Sequence, residues 1–318
     1  MAEALYAAEG ESIKWTPTAA VAAGEILQLK DGRAAFAPTA IAAGVQGILQ
    51  VKGIVEVLKV ITQTMLVSNK VFWDTSASTC NLLRGIGTND FFLGTVVEDA
   101  AYTDNTVKVN LNAKPAYISD LAGGYHSIPI QTAGDVYING AGNSVNFFHG
   151  VTAEAMKVDA LAINKIATAT PGILQALVCI NLNQDNSAGN FVVGLADATH
   201  ATATDTITSS LFLRTDGASL NLNIESDNAA AEVAKTDTTL DAVVGTPFLA
   251  TFDLRDWSAI KCYINGLRVG DGTTGSAVTL TLAGVAGPLG VFAWMGKTAD
   301  DSPGNITVMD LGFTAFDV

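Results

Sequence analysis

Catalysis and metal binding need particular side chains at particular spacings, and this chain carries few of them. Its three histidines are His126, His149 and His200. A zinc site takes further His or Cys ligands a few positions away, so that one turn can present them together. None of the three has such a neighbour, and His200 falls in Asp197-Ala-Thr-His-Ala, which reads as a loop. There is no Gly-x-Ser-x-Gly elbow and no His-Glu-x-x-His helix. Gly290 to Gly296-Lys297-Thr298 approximates a phosphate loop, but five residues separate the glycines, one more than lets successive amides curl around a phosphate. The dinucleotide pattern Gly-x-Gly-x-x-Gly is missing as well. Two carboxylate pairs remain, Asp253 with Asp256 and Asp300 with Asp301. Glycosidases hold two carboxyls about 5–10 Å apart across a sugar cleft. These acids instead sit at strand ends in Asp/Gly-rich turns, where a short polar side chain serves the turn itself. No complete calcium loop appears. The four tryptophans, Trp15, Trp73, Trp257 and Trp294, form no periodic platform and read as core anchors more readily than as sugar-stacking ligands. The expectation is a protein without enzymatic activity, cofactor or metal.

Composition narrows the class further. Of 318 residues, 49% are hydrophobic and 15% charged, enough apolar matter for packed cores and too much for disorder. At roughly 100–200 residues per domain the length suggests two domains. No run is apolar for long enough to span a membrane. The net charge is −14; the first 113 residues hold 8 Lys/Arg against 11 Asp/Glu, and the rest hold 9 against 20. An acidic surface repels phosphate backbones, so direct nucleic-acid binding is disfavoured. Cys80, Cys179 and Cys262 are distant, odd in number and set in apolar runs, as befits buried thiols and not a disulfide framework. The N-terminus lacks a basic stretch followed by an apolar one, so synthesis in the cytoplasm is expected.

The elements read as strands. Val107–Leu111, Ser219–Ile224 and Val278–Leu282 alternate apolar and polar residues, the period of a half-buried strand. Lys261–Val269 reads as a hairpin around Asn265-Gly266, which suits a type I′ turn, and Asp31-Gly32 marks another tight turn. Thr152–Ile166 fits a short helix about as well as a strand. Two Ala-Gly turns, Val21-Ala-Ala-Gly24 and Ile41-Ala-Ala-Gly44, look like an internal echo of one hairpin unit. The leading segment closes at Leu111, and the Pro and Gly of Asn112-Ala-Lys-Pro115 and Gly123-Gly124 mark a boundary after it. The expected division is a domain over residues 1–113, a linker over 114–125 and a second domain over 126–318. Longer strands in the second part, such as Phe191–Leu195, Phe248–Leu254, Gly290–Trp294 and Ile306–Phe316, predict a two-sheet sandwich. The fold class is all-β throughout.

The leading segment resembles the cement, or decoration, proteins of tailed-bacteriophage capsids. The resemblance is carried by Ala4-Leu-Tyr-Ala-Ala-Glu-Gly10, the turns at Gly24 and Gly44, Val51-Lys-Gly53-Ile-Val55, Val71-Phe-Trp73-Asp74, Phe92-Leu-Gly94-Thr-Val-Val97 and the closing Val107–Leu111. Ser68-Asn-Lys70 stands where a Gly is usual, and Asn tolerates positive φ. The second part looks like a concanavalin- or laminin-G-type (lectin-like, jelly-roll) sandwich, through Phe191–Asp197, Phe248–Val269 and Ile306–Phe316.

The resemblance implies a small β-barrel or β-roll on the outer surface of a virion. It would bind the major capsid protein, bridge neighbouring subunits and act as a homo-oligomer, with a trimer favoured because heterologous contacts close into a ring. Leu5, Tyr6, Ile13 and Trp15 form the expected capsid-binding arm, which adds a strand to a capsid edge or completes its own barrel. The acidic second domain would project outward, where Asp197 and Trp257 are the candidates for contact with a host surface glycan. A carbohydrate-binding module without a capsid role is the alternative.

Overall fold

The computed structural model describes residues 11–85, 89–127, 130–131, 136–141, 144–149, 154–182, 189–199, 207–216, 219–230, 232–270, 276–300 and 304–316. It is built from strands alone; no helix occurs among the described residues. The chain divides into two compact units, Met1–Pro115 and Ala116–Val318.

The leading unit holds nine short strands: β1 (Ser12–Trp15), β2 (Ile26–Gln28), β3 (Ala34–Phe36), β4 (Gly47–Gln50), β5 (Ile54–Leu58), β6 (Lys70–Asp74), β7 (Thr79–Asn81), β8 (Phe91–Val96) and β9 (Thr106–Leu111). They form two sheets, ordered β1-β4-β3-β2 and β5-β9-β8-β6-β7. The alternation in sequence sets the faces: Val55 and Val57 of β5, and Val107, Val109 and Leu111 of β9, point inward. A parallel bridge between Lys59 and Cys80 brings the end of the second sheet back beside its first strand, so that sheet curls into a barrel. Asn112, at φ 58°, ties this barrel to the other sheet. Its amide donates to the carbonyls of Ala34 and Val51 and accepts from the Ala34 N–H, at 2.7–2.9 Å.

The two Ala-Gly turns are related by a local two-fold arrangement. Val21 and Ile41 exchange both main-chain hydrogen bonds at 2.9 Å. The Gly24 N–H donates to the Ala37 carbonyl and the Gly44 N–H to the Pro17 carbonyl, each at 2.8 Å. Both bonds connect the same places twenty residues apart, so the echo in sequence is an echo in space. Gly24 and Gly44 have φ of 84° and 73°, a region that favours glycine. Gly94 is required for a different reason: a Cβ there would stand 2.0 Å from the Asn110 carbonyl oxygen. Ahead of β6, the positive φ (70°) falls on Ser68 and not on Asn69. The Asn69 side chain is spent instead on the Leu66 N–H, at 2.8 Å in a buried position, which corrects the expectation that Asn would supply that conformation.

The trailing unit contains β10 (Ser119–Asp120), β11 (Tyr125–Ser127), β12 (Ile130–Gln131), β13 (Val136–Ala141), β14 (Ser144–His149), β15 (Glu154–Ala162), β16 (Gly172–Leu182), β17 (Gly189–Ala196), β18 (Ser209–Asp216), β19 (Asn221–Asn228), β20 (Glu232–Asp241), β21 (Phe248–Asp253), β22 (Lys261–Ile264), β23 (Leu267–Arg268), β24 (Gly290–Asp300) and β25 (Gly304–Ala315). These make two antiparallel sheets, β13-β14-β25-β16-β21-β22-β23 and β11-β15-β24-β17-β18-β19-β20, with β10 beside β25 and β12 beside β15. One hydrophobic core joins their facing sides, including Phe147, Leu174, Phe252 and Phe313 from the first sheet and Phe191, Leu213, Val291 and Met295 from the second. This is a two-sheet β-sandwich. The segment that sequence left between helix and strand is the strand β15. Asn265 and Gly266, at φ 50° and 81°, make the expected two-residue turn between β22 and β23.

Some strands here are apolar at every position. Phe191–Val193 and Val291–Trp294 alternate between the central core and a second buried cluster on the opposite face of their sheet, made of Leu161, Val192, Ala196, Ile207, Phe212, Phe292 and Trp294. A strand covered on both faces loses the polar half of its alternation. Residues 114–125, read as a linker from their Pro and Gly, carry β10. Within them, Tyr117 donates its hydroxyl to Asp310 at 2.7 Å, and its ring lies against Gly312, where a Cβ would come within 2.4 Å. Ser119 is fully buried and donates to the Asn164 carbonyl.

Candidate capsid-binding surface

Residues singled out as chemical candidates have structural occupations. Gly290–Gly296 lies inside β24, hydrogen-bonded to β15 and β17, so it cannot wrap a phosphate. Burial alone would raise the Asp253 carboxyl, but the Arg255 guanidinium, at 2.7 and 2.8 Å, and its N–H hold it below the usual carboxylate range. Asp256 accepts from the Ser258 hydroxyl and N–H, which keep it low too. Both are turn builders. The side chains of His126, His149 and Asp300, and the whole of His200 and Asp301, lie outside the described residues. Among the described residues no cluster of His, Cys, Asp and Glu could hold a metal ion, and no helix is long and apolar enough to cross a membrane. All three cysteines are free and buried; burial pushes their thiols up.

The two residues proposed for a glycan are not brought together as a stacking site. Trp257 is 7% exposed, sits in the central core and donates its indole N–H to the Thr170 carbonyl at 2.8 Å. Covered on its faces, it offers a sugar no surface, which corrects its expected role. Asp197 follows β17 on the other sheet, half-buried, its carbonyl taking a bond from the Lys165 ammonium.

In the leading unit, the expected arm divides. Leu5 and Tyr6 lie outside the described residues. Ile13 and Trp15 are half-buried on β1 and pack against the core of Val21, Ala35, Ala37, Ile41, Leu49 and Val51. They complete their own sheet, in which β1 pairs with β4 among the described residues. Trp73 is 9% exposed, and Asp74 accepts from the N–H groups of Ser76 and Ala77 and the Ser76 hydroxyl. Gly24, Gly44, Gly53, Trp73, Asp74 and Gly94 are therefore parts of the scaffold.

The exposed apolar residues lie elsewhere. Ile48 on β4 and Ile54 and Leu58 on β5 are 53%, 64% and 56% exposed, and Val45 and Ile61 lie in the adjoining turns. Their signal in sequence is Ile54-Val-Glu-Val-Leu58, where four of five positions are apolar although only alternate ones can face the core. Of these, Leu58 lines a cleft of about 710 Å³, together with Ile26, Leu27 and Gln28 of β2, Glu56 and Val57 of β5, Trp73 and Phe91 among others. Its charged lining residues are Glu25 and Glu56.

Residues 7–111 match the model of the phage cement protein family, which spans nearly all of the leading unit. This match supports a capsid-associated role in a phage virion and points to a structural, non-enzymatic part. No curated protein matches the chain. Solved structures that resemble it are distant in sequence. The Emp47p carbohydrate recognition domain is 8% identical, with a TM-score of 0.41, over 63% of this chain and 95% of that one. The carbohydrate-binding module CBM66 from Bacillus subtilis is 10% identical, with a TM-score of 0.35, over 61% and 97%. A conserved carbohydrate esterase from the Shiga toxin-encoding bacteriophage phi24B is 11% identical, with a TM-score of 0.38, over 64% and 100%. At these values the likeness transfers no ligand and no reaction.

Proposed function

We propose that the chain is a capsid decoration protein that binds the outer surface of a tailed-phage shell and bridges neighbouring major capsid subunits. The observation that carries this reading is the family match over residues 7–111, coinciding with a unit that is compact by itself. A shell filled with nucleic acid is under outward pressure, and each bridge adds contacts that must break before it opens. Modest contacts suffice when many copies act on one particle, and anything that binds only the closed shell stabilises it by mass action. The copies form a trimer at local three-fold positions, where a heterologous contact closes into a ring. The trailing sandwich faces outward, and Asp197 remains its candidate for a host surface glycan.

The test is to add the purified full chain to expanded heads that lack it. Saturable attachment at symmetry-related positions and a higher temperature of genome release are expected. Heads that neither take up the chain nor gain heat resistance overturn the proposal. A glycan array read with the parent and Asp197→Ala checks the outward face separately; equal signals from both remove Asp197 from it.

A further inference from the structure

The trailing unit has an opening of about 330 Å³ over β18, β19 and β20. On β18, Leu211 and Leu213 enter the central core and Phe212 enters the cluster on the opposite face, so alternation turns Ser210 and Arg214 to that opposite face. On β19, Leu222 and Ile224 point to the core, and Glu225 and Asp227 take the other side. Ser210 lies opposite Asp227, and Asp227 opposite Glu232. The same face is apolar across β24 and β17, with Trp294, Phe292 and Val192; at β18 it turns polar. Arg214 donates through one guanidinium nitrogen to both oxygens of Glu225, at 3.0 and 3.1 Å, and the two side chains are only 10% and 13% exposed. An ion pair so far out of water often stabilises a fold no better than apolar side chains of the same size, so packing alone gives no reason for it. β20 carries a bulge at the same place. Ile224 pairs with Thr236 and Ser226 with Val233, which leaves Ala234 and Lys235 together opposite Glu225. An extra residue of this kind re-aims a side chain, and Lys235 is in the lining of the opening.

We infer that this opening binds a neutral, polyhydroxylated ligand, a terminal sugar unit of a glycan. The lining sets the carboxylates of Glu225, Asp227 and Glu232 among the cations Arg214 and Lys235 and the hydroxyl of Ser210, with the apolar Ile207 beside them. A hydroxyl donates and accepts at once, so a ring bearing several of them meets acceptors and donors placed side by side. Against an anion stand three carboxylates, and against a cation stand the guanidinium and the ammonium. A net charge of either sign therefore gains at one group and loses at the next. The volume lies at the small end of the range for small-molecule sites, about 300–1,000 Å³, which suits one terminal unit and not a long chain. The site rests on the reading of the trailing unit as the part that meets a host glycan, and moves the contact one strand along. Asp197, whose N–H donates to the Ser209 carbonyl at 3.1 Å, follows the neighbouring strand β17 without lining the opening.

The experiment is an array of neutral, acidic and amino-sugar glycans read with the full chain, with Asp197→Ala and with two paired variants. Arg214→Met with Glu225→Leu removes the ion pair as a unit and keeps its volume. Glu232→Ala with Lys235→Ala changes only the exposed rim. The parent is expected to bind neutral glycans. Both paired variants are expected to keep the parent's melting temperature and its attachment to expanded heads, and to bind those glycans about tenfold more weakly or worse. Should the first pair lower the melting temperature, the rim pair alone decides. Paired variants that bind as tightly as the parent, or a parent that selects acidic or amino sugars, overturn the site. Loss of binding in Asp197→Ala with full binding in both pairs overturns the opening and leaves the outward-face reading standing. A parent that binds no glycan overturns both.

Discussion

The two units use the same strand chemistry to different ends. In the trailing sandwich, strands of up to 12 residues bury Phe147, Phe191, Phe212, Phe252, Phe292 and Phe313 almost completely, and one sheet is covered on both faces. In the leading unit the strands are three to six residues long, and much of one core is Ala35, Ala37, Val21, Ile41, Leu49 and Val51. Small side chains let main chains approach closely, so more of the order rests on hydrogen bonds and special backbone angles. Its larger exposed aliphatics include Ile48 on β4 and Ile54 and Leu58 on β5.

That contrast can be broken by substitution, beginning with the largest effect. Phe313→Ala, at a fully buried site on β25, should destabilise the trailing unit by about 3–5 kcal/mol, with the leading unit's thermal transition unchanged in calorimetry. In the leading unit the heaviest loss should come from a polar residue. Asn112→Ala removes three hydrogen bonds to Ala34 and Val51 and puts a Cβ-bearing apolar residue at positive φ, for about 2–3 kcal/mol in denaturant melts. Asn112→Gly keeps the backbone freedom and loses only the bonds, so it should fall between the two; equality with Ala would show that backbone strain is negligible there. Trp257→Phe leaves the core filled and removes the bond to Thr170, costing about 1 kcal/mol with no change on a glycan array. The smallest effect is electrostatic. Asp253 is held below its unfolded value, so between the two values the unfolded chain binds more protons and stability rises with pH. The contribution is complete above the unfolded value and is lost as pH falls through the folded one. Asp253→Asn should flatten the acid limb of a stability-against-pH curve and leave the neutral plateau only slightly lower.

Much of this architecture was legible in the residues. Alternation placed β9, the Asn265-Gly266 pair placed the turn between β22 and β23, and the paired Val/Ile-Ala-Ala-Gly segments read as a repeated hairpin unit, though not as the local two-fold they form. The candidate capsid surface was harder. Ile13 and Trp15 drew attention as a large apolar pair near the start, but alternation cannot say whether an apolar face meets its own core or another molecule. Ile54 and Leu58 were readable only as an excess of apolar positions in one short strand. Trp257 was readable both as a core anchor and as a sugar contact, and its burial with the indole bond to Thr170 decides for the core. The Pro and Gly of residues 114–125 looked like a tether because composition does not register that Tyr117 needs the bare backbone of Gly312 to lie upon.

The sealed thiols bear on life outside a cell. A protein displayed in many adjacent copies in aerated water faces dissolved oxygen, and a surface thiolate on one copy would be within reach of its neighbour's. Cys80, Cys179 and Cys262 are buried and held protonated, and the thiolate is the form that reacts. On the proposed capsid-attachment reading, crowded copies would stay chemically separate through ageing, and a stored particle would not slowly weld its coat into covalent aggregates.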